Sequence, residues 1–115
     1  MATRSNIEFA YNDRVVANVY VHYDGTPMNR IPELQHFFLE VKSQTQDTRF
    51  SDPSYLAAKF IVWYTQVREH RNGKPLDFLG IGVAVQNAAD SDYIYRVHCD
   101  RTDTLGLPLV KYMKR

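Results

Sequence analysis

This sequence lacks several features that would narrow its class at once. It holds a single cysteine, Cys99, so no disulfide can form within the chain, and we expect a reducing compartment such as the cytoplasm. Its longest apolar run, residues 60–64, is far shorter than a membrane span. The formal net charge is only +1, which argues against a dedicated binder of duplex nucleic acid. We therefore expect neither a membrane nor a DNA partner.

What the chain does contain is typical of one globular domain. Hydrophobic residues make up 44% of it and charged residues 23%, which are ordinary values for a folded protein. A length of 115 residues is enough for one two-layer core and too short for two independent cores. There is no linker and no tandem repeat. The sequence therefore predicts a single domain spanning residues 1–115.

The hydrophobic pattern predicts an α+β fold. Alternation of apolar and polar residues indicates strands, and apolar residues at helical spacing indicate two helices between them. The predicted strands are 6–11, 14–23, one from 75 onward and 93–100, and the predicted helices are 31–43 and 53–70. The tail at 107–113 is the optional fifth strand, and Pro108, which cannot donate to a ladder, restricts it to an edge of the sheet. The order ββααββ(β) predicts an antiparallel sheet of four or five strands with both helices packed on one face.

The side of this sheet away from the helices carries residues suited to a ligand. Glycine inside a strand often marks a place where a ligand or another backbone comes close, and Gly80 and Gly82 occupy alternate positions of one predicted strand. Aromatic rings suit stacking on a nucleotide, and arginines suit its phosphates. The candidate ligand-binding residues are Tyr20, His22, Phe78, Gly80, Gly82, Arg96, His98 and Arg101, with Arg4 and Arg115 from the chain ends.

The same patch is equally compatible with a subunit interface. Small residues allow a second sheet to approach, and exposed patches of this kind mark either partners or ligands. The two interpretations agree with each other, because a symmetric dimer can create a pocket at its seam. We therefore expect a homo-oligomer.

One motif occurs twice and raises the question of catalysis. The two copies are His22-x-Asp24-x-Thr26 and His98-x-Asp100-x-Thr102. Alternate residues of a strand point the same way, so both sets could enter one cleft if their strands were adjacent. Two-histidine phosphoesterases use paired His-x-Thr/Ser motifs, with one histidine as base and the other as acid, although this chain has aspartate where they need a hydroxyl. A zinc or manganese site would need the same adjacent strands. In the remaining interpretation, both histidines are ordinary strand residues.

The amino-terminal residues resemble the opening of small phage-encoded proteins that begin Ala-Thr-Arg-Ser-x-Ile and continue to Val-Tyr-x-His-x-Asp-Gly. The matching residues are 1–7 and 19–25, about the first fifth of the chain. The order of strands and helices is also similar to that of phage sponge proteins that defeat Thoeris immunity. Those proteins hold cyclic ADP-ribose signals without cleaving them and assemble as oligomers. The resemblance implies aromatic stacking on adenine, arginines on phosphates and no catalytic residue.

These observations lead to one predicted function and two alternatives. We predict a phage counter-defence protein of the host cytoplasm that binds a cyclic ADP-ribose isomer or a cyclic oligonucleotide and releases it intact. No metal and no cofactor is expected, and the protein is not expected to be an enzyme. The alternatives are a phosphoesterase-like enzyme that uses His22 and His98, and a structural or partner-binding phage protein without a small ligand.

Overall fold

The computed structural model describes residues 2–67, 76 and 79–115. Their elements follow in the order β1 (Ser5–Tyr11), β2 (Arg14–Val21), α1 (Pro27–Gln44), α2 (Pro53–Val67), β3 (Ile81–Ala84), β4 (Tyr93–Thr102) and β5 (Pro108–Lys114). The predicted α+β class with two helices is confirmed. The predicted end of the second helix and the first residues of the third strand lie outside the described residues.

A tight turn joins β1 to β2. Asn12 and Asp13 both have positive φ, 51° and 61°, as the two central residues of a type I′ turn require. The strands then pair antiparallel from Tyr11 opposite Arg14 to Ser5 opposite Val21. The two strands therefore form a hairpin.

The sheet is mixed, so the prediction of a purely antiparallel sheet is wrong. Its strands lie in the order β3-β2-β1-β4-β5, and β1 runs parallel to β4. The physical reason is the connection after β3, which we call the crossing segment (residues 85–92). It passes across β2 and β1 before β4 begins, so β4 enters the sheet beside β1 and not as a hairpin partner of β3. β5 corresponds to the edge strand predicted at 107–113, and Pro108 is its first residue.

Both helices bury an apolar stripe, although Val67 at the end of α2, which was expected in that stripe, is 54% exposed. Helix α1 begins at Pro27, four residues earlier than predicted, because Thr26 is extended and Pro27 suits the first helical position. The buried residues of α1 include Leu34, Phe37, Phe38 and Val41, and those of α2 include Leu56, Phe60, Trp63 and Tyr64. Among the residues that the structure describes, neither helix combines the length and apolarity needed to cross a membrane.

The core lies between the helices and one face of the sheet. Its strand residues include Ile7, Phe9, Val19, Val21, Tyr95 and Val97, each at most 1% exposed. Cys99 is also buried there. Val83 lies on the same face, opposite Val19, yet it is 83% exposed. The reason is that α2 packs on β1 and β2 and α1 packs on β5, so this end of β3 lies beyond the helices.

Candidate functional site

The other face of the sheet, which we call the polar face, is not open across its whole width. The crossing segment lies over it and is held by side chains of the two central strands. The Asn87 amide donates to Glu8 Oε2 at 3.2 Å, and its oxygen accepts from Asn18 Nδ2 at 2.8 Å. The Ala88 amide N–H and the Ser91 hydroxyl both donate to Asn6 Oδ1. Polar strand residues therefore serve as anchors for this segment.

The anchors are themselves joined and buried. Asn6 Nδ2 donates to Asn18 Oδ1 at 2.8 Å, and the exposed fractions of these residues are 0% and 5%. Buried amides need such partners, because an unsatisfied one costs about 1–3 kcal/mol. Sequence reasoning missed this network. Its only signal was the polar side of β1, which looked like a solvated surface.

On one side of the crossing segment lies a hollow of about 350 Å³, which we call the Tyr20 hollow. Its lining consists of Tyr20, His22, Tyr23, Leu79, Gly80, Ile81 and Gly82. The Tyr20 hydroxyl and His22 Nδ1 share a hydrogen bond of 2.8 Å. Burial raises the pKa of Tyr20, while the positive charge of Arg4 acts in the opposite direction. A Cβ added at Gly82 would meet no heavy atom within 4 Å, so the glycine leaves open space above the strand.

On the other side lies a cleft of about 310 Å³, which we call the β4–β5 cleft. Its lining consists of Glu8, Ile94, Arg96, His98, Lys111, Tyr112 and Met113. Arg96 Nε donates to Glu8 Oε1 at 2.9 Å. Lys111 stands opposite Arg96 on the neighbouring strand, so the two cations point from the same face. The cleft thus combines positive charge with the apolar side chains of Ile94 and Met113.

His98 is the most buried ionisable group of this cleft, with a side chain that is 5% exposed. Its Nδ1 lies 3.8 Å from Asp13 Oδ1, too far for a hydrogen bond, and has no other partner among the residues that the structure describes. Burial lowers the pKa of His98, and the positive charge of Arg101 lowers it further, while Asp13 acts in the opposite direction. The imidazole is therefore neutral at neutral pH, with cationic side chains around it.

The remaining candidate arginines are engaged elsewhere. Arg101 Nη2 lies 3.4 Å from Asp13 Oδ2 at the surface. Arg115 donates from its guanidinium to the Ala88 carbonyl and from its amide to the Asp92 carbonyl. The Arg4 side chain pairs with Asp90 at 3.4 Å. The two chain ends therefore fasten the crossing segment. Phe78 lies outside the described residues.

The predicted site residues consequently form two groups. Tyr20, His22, Gly80 and Gly82 meet in the Tyr20 hollow, and Arg96 and His98 meet in the β4–β5 cleft. The crossing segment lies between the two groups. Sequence reasoning identified Arg96 and His98 from strand alternation, but it did not identify Lys111, because the pairing of β5 with β4 was needed to bring Lys111 to the same face.

The two histidines of the repeated motif do not share a cleft. Val21, the neighbour of His22, pairs with Ser5 at one end of β1, while His98 pairs with Ala10 at the other end. Strands rise about 3.3 Å per residue, so the two histidines are separated by roughly 20 Å along the sheet. The described residues contain no cluster of three or more histidine, cysteine or acidic side chains that could hold a metal ion.

The residues after His22 have a structural role, because they connect separate segments of the chain through hydrogen bonds. Asp24 has a positive φ of 58°, and the Gly25 amide donates to the Thr3 carbonyl at 3.0 Å. A Cβ at Gly25 would lie 2.7 Å from that carbonyl oxygen, so a larger residue would push the two chain segments apart. The Tyr95 hydroxyl donates to the Gly25 carbonyl at 2.6 Å. This copy of the motif therefore ties the start of the chain to β4.

Comparison with protein-family models, curated proteins and solved structures finds no match for this chain.

Proposed function

We propose that the protein binds a small anionic ligand of the nucleotide class in the β4–β5 cleft and releases it intact. One observation carries the proposal: Arg96, Lys111 and the neutral His98 line the same cleft. A volume of about 310 Å³ lies at the lower end of ligand pockets, which span about 300–1,000 Å³. The cleft therefore suits a phosphate-bearing fragment, with the rest of the ligand lying over Met113.

The charges of the cleft favour an anion. Each charge-assisted hydrogen bond contributes about 1.5–3 kcal/mol, and a guanidinium has five N–H donors in a planar fork. The contact of Arg96 with Glu8 uses Nε, so donors remain for a ligand. Lys111 adds an exposed ammonium group across the strand pair. Glu8 is the opposing charge, and it lies on the inner wall where it orients Arg96.

Binding without chemistry is favoured over hydrolysis. The phosphoesterase alternative needs His22 and His98 in one cleft, and the register of β1 with its two neighbours separates them by roughly 20 Å. The buried thiol of Cys99 is a poor nucleophile, because burial raises its pKa to about 12. The resemblance to phage sponge proteins suggests cyclic ADP-ribose isomers and cyclic oligonucleotides as the first ligands to try. We also propose that the protein self-associates.

The test is recovery of bound ligand. The protein is incubated with a panel of cyclic oligonucleotides and cyclic ADP-ribose isomers, freed from unbound ligand, denatured, and the released molecules are analysed by mass spectrometry. Intact ligand supports the proposal. Linearised product supports an enzyme, and an empty protein supports a structural or partner-binding role.

A matched pair of variants locates the site. Lys111→Ala removes a cation from the β4–β5 cleft, while Lys114→Ala removes the same charge from the same strand on the opposite face of the sheet. We expect Lys111→Ala to weaken binding roughly tenfold, the loss of about one charge-assisted contact, and Lys114→Ala to bind like the wild type. Equal binding by all three proteins would place the ligand elsewhere.

A further inference from the structure

The two edges of the sheet are protected to different degrees. Natural edge strands carry charges or proline that discourage pairing with another chain. β5 follows this rule with Pro108, Lys111 and Lys114. Residues 79–85, which contain β3, hold no charged residue and no proline. Val83 is 83% exposed, and Val85 is fully exposed. No strand beyond β3 appears among residues 2–67, 76 and 79–115.

The register shows which backbone groups of β3 point away from the sheet. The His22 amide donates to the Gly80 carbonyl, and the pair of Tyr20 with Gly82 continues this register. Hydrogen-bonded pairs alternate with non-bonded pairs along an antiparallel ladder. Gly80 and Gly82 therefore direct their N–H and C=O groups to β2, and Ile81 and Val83 direct theirs outward.

We propose that the β3 edges of two copies of this chain pair antiparallel, with Val83 opposite its own copy. Residues whose backbone N–H and C=O groups point outward occur at every second position. In this register, each of them lies opposite another such residue of the second copy. Val83 then meets its own copy on the helix side, and Ile81, the other helix-side residue of β3, is also apolar. Because the edge carries no charge, two copies do not repel each other. An isologous contact of this kind is self-complementary and closes as a dimer.

The size of the edge sets the expected strength. The four residues of β3 span about 13 Å, so the contact buries less than the roughly 800 Å² per partner of a standard interface. We therefore expect a dimer that dissociates in the micromolar range. Gly82 belongs to this strand, so the Tyr20 hollows of both copies would flank the seam. The inference concerns a different surface from the β4–β5 cleft and does not depend on ligand binding there.

Sedimentation equilibrium over a micromolar concentration series tests the proposal. Val83→Pro removes an outward N–H without touching the ladder to β2, and Val83→Lys places a charge on the edge. Val62→Lys is the control, because Val62 is also exposed, at 56%, but lies on α2. We expect both Val83 variants to dimerise at least about tenfold more weakly than the wild type, and Val62→Lys to match it.

Two results would overturn the proposal. One is a wild-type protein that stays at 13.4 kDa throughout the series. The other is a dimer that survives both Val83 variants or is lost in Val62→Lys, which would move the interface to another surface. Circular dichroism of each variant shows that it is folded, and Val83→Lys provides the test if the proline variant does not fold.

Discussion

The two faces of the sheet are buried to a similar degree by different physical means. Under the helices, Phe9 and Val97 are 0% exposed and pack against apolar side chains. On the polar face, Asn6 and Asn18 are 0% and 5% exposed, yet they are held by directional hydrogen bonds to each other and to the crossing segment. Burial by itself therefore does not distinguish a core from an anchor. The two faces should respond differently to substitution.

The largest effect is expected under the helices. Phe60→Ala removes a ring that contacts Phe9, Phe37, Trp63 and Tyr64. Loss of a buried phenyl group costs about 3–5 kcal/mol, because the transfer free energy and the cavity add together. Urea unfolding measures the difference in free energy. A loss below about 1 kcal/mol, the level of an ordinary surface change, would contradict the assignment of Phe60 to the core.

A smaller effect is expected on the polar face. Asn6→Ala leaves the Ala88 amide and the Ser91 hydroxyl without their acceptor, and each unsatisfied group costs about 1–3 kcal/mol. Hydrogen exchange at Ala88 should accelerate, because its N–H loses its partner. Gln35→Ala, an exposed change on α1, is the control for both measurements. If Asn6→Ala matched this control, the crossing segment would not be anchored through Asn6.

Alkaline pH should act on the helix side through Cys99. Burial raises the pKa of the thiol to about 12, whereas an unfolded cysteine titrates near pH 8.5. Its contribution to stability is complete below about pH 8.5 and is lost as the pH rises through 12. Between these two pH values, the free energy of unfolding should therefore fall less steeply with pH in Cys99→Ala than in the wild type. The two slopes should differ by up to about 1.4 kcal/mol per pH unit. Parallel pH profiles for the two proteins would argue that Cys99 is accessible to water.

The smallest effect is expected at His98. Its pKa is lowered mainly by burial and then by Arg101, with Arg96 and Lys111 in the same direction and Asp13 opposing. The stability that comes from neutral His98 is present above about pH 6.5 and is lost as the pH falls through the lowered pKa. In NMR titrations, the His98 midpoint should lie below about 6.5 and rise in Arg101→Ala.

A bound anion should also raise the His98 midpoint, because its negative charge favours the imidazolium. Inorganic phosphate is the simplest probe, and Lys111→Ala should reduce the shift while Lys114→Ala leaves it unchanged. If phosphate did not change the His98 midpoint in the wild type, the result would count against the β4–β5 cleft as the anion site.

Local structure could be predicted from the sequence wherever short-range chemistry decides it. Asp52-Pro53 marks the start of α2, and Asn12-Asp13 can adopt the positive φ angles of the hairpin turn. The choice of neighbour for β4 could not be predicted in this way. Strand alternation indicates which face of the sheet a side chain occupies. The alternation of β4 would be the same beside any other strand, so it does not identify the neighbour.

The site was predictable to the same extent. Alternation places Arg96 and His98 on one face and Tyr20 on the same face, and the structure agrees. Alternation could not show that residues 85–92 run between them, because Asn87 and Ser91 look like any loop residues. That Lys111 joins Arg96 depends on the register of two strands, which the turn between them sets.

The parallel pairing of β1 with β4 also has a consequence for how the chain is made. Glu8 and Arg96, which meet across this pair, are 88 positions apart in the chain. On the ribosome, β1 emerges well before the strand that completes its pairing. One side of β1 stays open until β4 has been made, and pairings between distant segments form slowly. The nascent chain therefore depends on its early hairpin and helices to shield that open strand until β4 emerges.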